Sequence, residues 1–454
     1  MRIYIDESIK YQVFEGFGAS GAWWAQELGS WTHHFENDEL SVRDRVSKLL
    51  FDKQDGIALR TYRYNIGAGS KGGKDNISNP LRRTESFYTD KGLDFSKDEN
   101  AVYMMRRATM DGADEIVLFV NSPIVQLTKN GLSHLKKHQI MRENLPKRNY
   151  DAFAAYCLDI AENFINEGLP IKYISPINEP VWIWNGGQEG CHYSPKSAAA
   201  VMKAFAKALN KRPLLNSVSL SGIESGDLRW LNKSYTRYLL SSKEVRQRLD
   251  SVDVHSYCLP LPFPLCFLNN RLKFVKRYSR WHKQHYPDLP IKMSEWCHMQ
   301  GGRDKTMASA LVMANTIFED IFYLNVTSWQ HWIAVSEVDY CDGLIYINLS
   351  DKSYELTKRY FVTGNFSKYI PFGAQRVFIS CPDKSIKLLC FVKDGKKTVI
   401  AINDKESPAQ IILPIPSGRE CLAVLTDEFN NLTEIILKQQ DFCLPAFSVC
   451  TFVF

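Results

Sequence analysis

Two glutamates in this chain each end an apolar run, and their neighbours suit chemistry on a glycosidic bond. Glu179 ends the run Ile171-Lys-Tyr-Ile-Ser-Pro-Ile-Asn-Glu179-Pro180, and Glu295 ends the run Ile291-Lys-Met-Ser-Glu295-Trp296. Such runs predict buried parallel strands, and barrel enzymes assemble their active sites where these strands end. Two carboxylates at that rim would supply a proton donor and a nucleophile. We therefore hypothesise that the chain is a retaining glycoside hydrolase.

The elements that must position these glutamates can be read from the alternation of the sequence. From about Phe14 to Phe372, short apolar or β-branched runs alternate with longer amphipathic stretches, a pattern typical of βα units. Eight runs qualify as strands, which is the number that a closed barrel needs. They are residues 14–20, 56–63, 115–121, 172–178, 217–221, 251–255, 291–294 and 326–330. The predicted fold is therefore a (β/α)8 TIM barrel of the α/β class.

Two of the intervening stretches have a clear helical period. In residues 149–168, apolar residues recur at three- and four-residue spacing until a Gly-Leu-Pro sequence stops the pattern. In residues 194–209, Ser194 suits the N-cap and Pro195 suits the first helical position. Both stretches predict helices that pack one apolar face against the sheet.

The pattern changes after about residue 371, where short strands alternate with turn sequences at intervals of roughly ten residues. Lys393-Asp-Gly-Lys396 and Pro416-Ser-Gly418 are two such turns. This spacing is typical of a small antiparallel β-sandwich. Residues 1–13 also have the pattern of a strand, so we expect the barrel to span 14–371 and the sandwich to combine 1–13 with 372–454.

Polar and aromatic side chains lie near the carboxyl ends of the predicted strands, where the βα loops begin. They are Arg63, Asn65, Ser122, Asn178, Glu179, Glu224, His255, Tyr257, Glu295, Gln330 and His331. So many side chains in one register predict a single site at the rim. Pro180 lacks an amide hydrogen and disfavours a helical backbone before it, so we expect Glu179 to leave its strand in an extended conformation.

Composition and charge narrow the classes of function. Of the 454 residues, 45% are hydrophobic and 23% are charged, which is ordinary for a soluble globular protein. The net charge of +6 is spread along the chain and forms no basic patch, which argues against a nucleic-acid partner. The 11 cysteines lack CxxC spacing, so neither a disulfide framework nor a zinc site is predicted.

The sequence also gives little indication of a targeting signal or of a metal-binding motif. No apolar stretch approaches the roughly 18 residues of a membrane span, and the first residues lack the apolar core of a signal peptide. The sequence as it stands favours a cytoplasmic protein, or an extracellular or periplasmic one if a signal has been removed. His134 with His138, and His282 with His285, could share a helix face, but neither pair has a ligand-type carboxylate motif.

The residues leave two alternatives to a hydrolase. Lys292 lies three residues before Glu295 and could form a Schiff base, as in barrel aldolases, although no other feature of the chain supports that chemistry. A carbohydrate-binding protein that kept the barrel and lost turnover is the second alternative. Loss of either carboxylate would favour it, and both Glu179 and Glu295 are present.

The ordered set of motifs resembles glycoside hydrolase family 30, a clan A family of retaining enzymes, over nearly the whole chain. The matching segments are Phe14-Glu-Gly-Phe-Gly-Ala-Ser-Gly-Ala-Trp-Trp24, Arg63-Tyr-Asn-Ile-Gly67, Ser175-Pro-Ile-Asn-Glu-Pro180, Ser294-Glu-Trp296, Trp329-Gln-His-Trp332, Lys358-Arg-Tyr-Phe-Val-Thr-Gly-Asn-Phe-Ser367 and Leu444-Pro-Ala-Phe-Ser-Val-Cys-Thr-Phe-Val453. The resemblance implies a (β/α)8 barrel fused to a β-sandwich, with Glu179 as acid/base and Glu295 as nucleophile. It implies no metal and no organic cofactor.

The resemblance also implies roles for other rim residues. Asn178 would hold the sugar 2-hydroxyl, Arg63 would bond to the nucleophile and help keep it ionised, and Tyr257 would orient it. His255 is expected beside them as a hydrogen-bonding partner. Indole faces can stack on the C–H face of a sugar ring. The tryptophans expected to contact substrate are Trp184, Trp329, Trp332 and Trp24, although one of the pair Trp23 and Trp24 is equally expected to pack the barrel.

Members of this family cut several β-linked glycans, so the resemblance implies an oligosaccharide or polysaccharide as partner without naming the sugar. The Ala-Trp-Trp-Ala25 run together with Arg63-Tyr-Asn-Ile-Gly67 looks most like the endo-β-1,6-galactanase branch. We therefore expect cleavage of β-1,6-linked galactan, such as the side chains of arabinogalactan. A β-xylanase, a β-1,6-glucanase and a glucosylceramidase-type activity are the alternatives on the same scaffold.

Overall fold

The structure, a computed structural model, describes residues 1–74, 77–136, 142–229, 231–258 and 270–454. His138, from one of the histidine pairs above, lies outside these residues. The strands up to residue 356 are β1 (Tyr4–Phe14), β2 (Gly16–Ser20), β3 (Thr61–Asn65), β4 (Tyr88–Thr89), β5 (Gly92–Leu93), β6 (Glu115–Phe119), β7 (Ile171–Ser175), β8 (Ser219–Leu220), β9 (Val252–His255), β10 (Ile291–Trp296), β11 (Ser328–His331), β12 (Val335–Ser336), β13 (Ile345–Asn348) and β14 (Ser353–Leu356).

The remaining strands are β15 (Ala374–Ser380), β16 (Lys387–Lys393), β17 (Lys396–Asn403), β18 (Ala409–Ile412), β19 (Cys421–Thr426), β20 (Thr433–Leu437), β21 (Asp441–Leu444) and β22 (Ser448–Val453). The α-helices are α1 (Trp24–Leu28), α2 (Val42–Phe51), α3 (Glu99–Asp111), α4 (Tyr150–Asn166), α5 (Pro195–Leu209), α6 (Asn232–Leu240), α7 (Lys243–Arg246), α8 (Arg271–His285), α9 (Met307–Glu319) and α10 (Lys358–Ser367).

Eight of the described strands form one parallel sheet, in the order β8-β7-β6-β3-β2-β11-β10-β9. Every residue of β3, β6 and β10 is buried, as expected for strands that are covered on both faces. Parallel bridges join Leu220 to Leu249 and Ser225 to Val254, so the two end strands of the order also approach each other. These eight strands coincide with the eight predicted ones, and the predicted barrel is confirmed.

The predicted helices are present as well. The helix predicted over 149–168 is α4, and the helix predicted over 194–209 is α5. The Ser194 hydroxyl caps α5 by accepting a hydrogen bond from the Ser197 amide at 3.3 Å, and Pro195 occupies the first position. Local capping chemistry was therefore sufficient to place the start of this helix.

A second, antiparallel sheet is built from both ends of the chain. Its order is β1-β15-β16-β17-β22-β19-β20, and β18 pairs with β21 in a two-stranded sheet. The N-terminal strand β1 pairs antiparallel with β15, for example Tyr4 opposite Ser380. A core of buried apolar residues, including Val399, Ile411 and Phe452, lies with these strands. The predicted antiparallel side domain with an N-terminal strand is confirmed.

Contacts divide the described chain into two compact units. One comprises residues 1–19, 48–60 and 296–454, and the other comprises residues 20–47 and 61–295. The domain boundaries at residues 14 and 371 stay a prediction. The stretch Met307–Leu324 is long and apolar enough to cross a membrane by composition alone, but 67% of it is buried inside the protein, as in a core helix. It is therefore weak evidence for a span.

Candidate active site

Glu179 and Glu295 lie at the ends of their strands with their carboxylates close together. Glu179 lies four residues beyond β7, and Glu295 is the penultimate residue of β10. Both are buried, at 7% and 5% exposure. One carboxylate oxygen from each glutamate and one ring nitrogen of His255 all lie within 4.8 Å of one another. The structure thus brings together three of the residues predicted from the sequence.

His255 ends β9 and lies between the two carboxylates. Its Nδ1 is 2.8 Å from Glu179 Oε1 and 3.5 Å from Glu295 Oε1. Burial acts to lower the pKa of His255, but the negative charges of Glu295, Glu179 and Glu224 outweigh burial and raise this pKa to about 10. The ring is therefore an imidazolium at neutral pH, and its Nδ1–H donates to Glu179.

Glu295 is held through both of its carboxylate oxygens. Arg63 Nη1 donates to Oε2 at 3.1 Å, and Tyr257 OH donates to Oε1 at 3.3 Å. The same Arg63 nitrogen donates to Ser20 Oγ at 2.7 Å, and the guanidinium lies over the Phe119 ring at 4.2 Å. Two donors on opposite oxygens fix the plane of the carboxylate. The contacts expected of Arg63 and Tyr257 are thus present in the structure.

The electrostatics of Glu295 differ from the simple expectation that Arg63 keeps it ionised. Burial and the neighbouring Glu179 and Glu224 carboxylates raise the pKa of Glu295 to about 7, while His255 and Arg63 act in the opposite direction. Burial is the largest of these effects. Arg63 therefore limits the rise of the pKa without reversing it.

The backbone at Glu179 corrects a prediction from the sequence. Pro180 led us to expect an extended conformation, but Glu179 has a φ of 43°, in the left-handed region that side-chain-bearing residues rarely adopt. The Glu179 amide donates to the Glu224 carbonyl at 2.8 Å, and the Glu179 carbonyl accepts from the indole of Trp184 at 3.2 Å. These tertiary hydrogen bonds hold a conformation that costs about 1–3 kcal/mol.

A row of side-chain amides supports Asn178, the residue before Glu179. Asn178 Nδ2 donates to Asn121 Oδ1 at 3.1 Å, and Asn121 Nδ2 donates to Asn65 Oδ1 at 3.2 Å. The three asparagines follow or end neighbouring strands of the sheet, β7, β6 and β3. Asn178 Oδ1 accepts no hydrogen bond from any residue in the described part of the chain. Asn178 is thus anchored on one side and keeps an acceptor on the other.

The tryptophans divide into two groups. Trp184 is partly exposed and bonded to the Glu179 carbonyl, and Trp332 is also partly exposed. Trp24 is only 1% exposed, donates to the Ser20 carbonyl at 2.9 Å and packs edge-on against Tyr62. Because its faces are covered, the expectation that Trp24 contacts substrate is corrected, and it is a packing residue.

Trp329 requires the same correction. It is fully buried, its indole nitrogen donates to Asp320 Oδ2 at 3.1 Å, and its ring packs against Phe17 and Trp296. A side chain in the middle of a strand points to one face or the other, and that of Trp329 points into packed protein. It therefore stabilises the fold and offers no surface for a sugar.

Lys292 is tied to groups other than the two glutamates. Its Nζ donates to the Tyr173 hydroxyl at 2.7 Å and lies 3.5 Å from Asp250 Oδ2. It is 3% exposed. The contacts therefore give no support to a Schiff-base lysine in this site.

Glu224 belongs to the cluster although sequence reasoning assigned it no role. It lies four residues beyond the short strand β8, it is fully buried, and its Oε2 accepts from Arg63 Nη2 at 2.9 Å. The only signal in the sequence was its position at the predicted rim. Its partner Arg63 is 161 residues away along the chain, and only the curl of the sheet brings them together.

Gly226 packs against the carboxylate of Glu179 and has no space for a side chain. A Cβ placed on Gly226 would come within 2.2 Å of Trp182 Nε1 and 2.9 Å of the Glu179 carboxyl group. Glycine is therefore required at this position so that the side chains of Glu179 and Trp182 can pack against the backbone.

The cluster of Glu179, His255 and Glu295 is also of a kind that could ligate a metal ion. In the described structure these groups already have hydrogen-bonding partners, because Arg63 and Tyr257 donate to the two oxygens of Glu295 and His255 Nδ1 lies 2.8 Å from Glu179 Oε1. The expectation of a cofactor-free site stays a prediction.

Comparison with protein families gives a match over most of the chain. The family model described as O-glycosyl hydrolase family 30 matches residues 1–346. The endo-β-1,6-galactanase of Hypocrea rufa is 23% identical over 434 residues, which cover 88% of this chain and 80% of that protein. The match thus includes all the residues of the carboxylate cluster.

Solved structures share the fold over the full length. A conserved exported protein from Bacteroides fragilis superposes with a TM-score of 0.88 at 24% identity, and the alignment covers 100% of both chains. The catalytic domain of GH30 xylanase C from Talaromyces cellulolyticus superposes with a TM-score of 0.75 at 19% identity, covering 100% of this chain and 99% of that one. At these identities the likeness concerns the fold alone.

Proposed function

This chain belongs to O-glycosyl hydrolase family 30, and we propose that it cleaves β-1,6-linked galactan with retention of anomeric configuration. One observation supports retention above all: one carboxylate oxygen of Glu179 and one of Glu295 lie within 4.8 Å of each other. Retaining glycosidases hold their carboxyl groups roughly 5–5.5 Å apart, whereas inverting ones leave about 6.5–9.5 Å for a water molecule. The similarity to the Hypocrea rufa endo-β-1,6-galactanase supports the choice of sugar.

In the first step, Glu295 attacks the anomeric carbon while Glu179 gives its proton to the leaving glycosidic oxygen. The bond from the anomeric carbon to that oxygen breaks, and an ester bond to Glu295 forms. Arg63 and Tyr257 hold the attacking carboxylate in one plane, so the geometry of attack is fixed before substrate arrives.

In the second step, Glu179 removes a proton from water, and the water oxygen displaces Glu295 from the anomeric carbon. The negative charge therefore moves from Glu295 to Glu179 in the first step and returns in the second. His255 is 2.8 Å from one carboxylate and 3.5 Å from the other, so its positive charge stabilises both arrangements.

We expect the substrate contacts to come from Asn178 and from two partly exposed tryptophans. The acceptor of Asn178 suits a donated hydrogen bond from the sugar 2-hydroxyl. Trp184 and Trp332 are partly exposed and supply indole faces for sugar rings. A polysaccharide substrate, together with the similarity to a conserved exported protein, supports a location outside the cytoplasm.

The proposal is tested by product analysis with four glycans in parallel. Wild-type protein and the Glu295→Gln variant are incubated with β-1,6-galactan, β-1,6-glucan, glucuronoxylan and glucosylceramide, and products are separated by chromatography. Oligosaccharides from galactan with wild type alone are the expected result. Release from another glycan would contradict the choice of sugar, and no release from any would favour a binding protein.

The Gly226→Ala variant is expected to lose about 10²-fold in kcat/KM, because displacing a catalytic group by about 1 Å can cost that much. The new methyl group has no space beside Trp182 and Glu179, so the acid must move. The check is kcat/KM on an aryl glycoside together with the Tm of the variant.

The Gly187→Ala variant is a matched control for this prediction. Gly187 lies in the loop after Glu179, and a Cβ there would meet nothing within 4 Å. This variant should retain wild-type activity and Tm. Equal activity of the two alanine variants would contradict the claim that Gly226 keeps Glu179 in place.

The pH dependence of kcat/KM is expected to have its acidic limb near pH 7. Glu295 must be ionised to attack, and burial raises the pKa of this carboxyl group to about 7, so the reactive form is gained as the pH rises through that value. The measurement is kcat/KM on an aryl glycoside across the pH range. A limb at the ordinary carboxyl pKa of about 4.3 would contradict the expectation.

A further inference from the structure

Glu224 is a third carboxylate in the core of the site, and the reaction as described does not use it. It is fully buried and lies in the segment after β8, so it reaches the cluster from a different strand than either catalytic glutamate. An ionised carboxylate at such a depth is costly unless it is paired and hydrogen-bonded. The contacts of the Glu224 carboxylate therefore indicate its role in the site.

The first partner is Arg63. The two terminal nitrogens of the guanidinium are divided between carboxylates, because Nη2 donates to Glu224 at 2.9 Å and Nη1 donates to Glu295 at 3.1 Å. A guanidinium is a rigid plane, so fixing one nitrogen fixes the direction of the other. Glu224 thus determines where Arg63 presents its donor to the nucleophile.

The second partner is His255. Its Nδ1 faces Glu179 and Glu295, and its opposite nitrogen, Nε2, lies 3.8 Å from Glu224 Oε2. A negative charge behind the ring favours the doubly protonated form and orients its Nδ1–H towards the acid. Glu224 thus acts on Glu179 through the imidazolium.

The third contact is made by the backbone. The Glu224 carbonyl accepts the amide hydrogen of Glu179 at 2.8 Å, and Asn178 forms a parallel bridge with Glu224. This hydrogen bond belongs to the left-handed turn that aims the Glu179 side chain at the site. The side chain and the main chain of one residue therefore contact the supports of both catalytic groups.

We infer that Glu224 is a positioning residue, which holds the nucleophile through Arg63 and the acid through His255. The inference rests on the roles proposed for Glu179 and Glu295. It predicts that the negative charge of Glu224 matters, and not only its shape.

The charges that face Glu224 come from several strands. Arg63 on β3 and His255 on β9 are the cations, and Asp253 on β9, Glu179 after β7 and Glu295 on β10 are the acids. Burial acts to raise the pKa of Glu224, but Arg63 and His255 hold this pKa below its ordinary value. Glu224 is therefore ionised across the neutral range, and its removal would take away one negative charge.

Removing the charge of Glu224 should lower the pKa of both of its neighbours, His255 and Glu295. Glu224 is among the groups that raise the pKa of His255 and the pKa of Glu295. Without its charge, His255 loses its proton at a lower pH, and Glu295 ionises at a lower pH. The whole pH profile of kcat/KM should therefore move towards acid in a Glu224→Gln variant.

The experiment compares Glu224→Gln with Glu224→Asp and with Glu115→Gln as a control. Glu115 is a buried carboxylate at the first residue of β6, at the opposite end of that strand from Asn121, and it accepts from Thr61 Oγ1 at 2.6 Å. We expect Glu224→Gln to lower kcat by about 10²-fold with little change in KM. Glu224→Asp should recover the wild-type pH profile and part of the rate, and the control should match wild type.

A second measurement does not depend on the identity of the glycan. The protonation of His255 is followed by NMR of ¹⁵N-histidine-labelled protein, and its apparent pKa should fall by about one unit or more in Glu224→Gln. A rate loss with unchanged KM, unchanged pH profile and unchanged His255 pKa would overturn the inference in favour of a structural role. If no glycan is cleaved by wild type, the proposed function fails, while the NMR result still decides the link between Glu224 and His255.

Discussion

The Glu295→Gln variant is expected to lose nearly all turnover, by about 10⁴-fold or more, and to keep the fold. An amide of the same shape cannot form the ester bond to the anomeric carbon, so the first displacement stops. The fold should persist because the amide oxygen can still accept from Arg63 or Tyr257, and because the substitution removes a charge from a site that is 5% exposed. The measurements are kcat on an aryl glycoside and on polysaccharide, with circular dichroism and Tm for the fold.

Glu115→Gln serves as the matched control for this result. It makes the same chemical change at another buried position of the same sheet, the first residue of β6, where the glutamate accepts a hydrogen bond from Thr61. Its activity should equal that of wild type. If Glu295→Gln kept a tenth of the wild-type rate, Glu295 would not be the nucleophile.

The two glutamates could be predicted because local sequence carries their position. Each ends an apolar run that predicts a buried strand, and parallel strands of a barrel end at a shared rim. Asn178, His255 and Tyr257 were found by the same reasoning. A residue at the end of a strand is thus accessible to prediction even when its partner lies far away in the chain.

The role of Glu224 could not be predicted from the sequence. Its strand, β8, is only two residues long, and Glu224 lies four residues past it in a loop whose path is set by contacts with β7 and β9. The residues next to Glu224 in the sequence form no pattern that predicts a buried ion pair with Arg63. The partnership depends on the closure of the sheet, which no local pattern encodes.

The predictions for the tryptophans and for the backbone of Glu179 were wrong for a related reason. An indole near a strand end is equally suited to a sugar and to a packed core, and the choice for Trp329 was made by Phe17 and Asp320 from other elements. The preference of a residue before proline for an extended backbone is weak beside the hydrogen bond that the Glu179 amide donates to the Glu224 carbonyl. In both cases a tertiary contact overrides a local tendency.

The Glu179→Ala variant is expected to separate substrates by their leaving groups. A sugar alkoxide is a poor leaving group and needs the proton of Glu179, so hydrolysis of polysaccharide should fall by about 10²–10⁴-fold. An activated aryl glycoside leaves as a stable phenolate, so its first displacement should be far less affected. The measurement is kcat/KM on a series of aryl glycosides of increasing phenol pKa, with polysaccharide as the last member.

Two further variants make this result specific to proton transfer. Asn178→Ala removes a neighbouring side chain that contacts Asn121 and not the leaving oxygen, so its losses should be similar for all leaving groups. Glu179→Gln keeps an acceptor for His255, which is 2.8 Å away, while removing the acidic proton, so it should show the same leaving-group slope as Glu179→Ala. Equal losses across the series for both Glu179 variants would contradict the acid/base role, because a group that only shapes the site cannot distinguish a phenolate from an alkoxide.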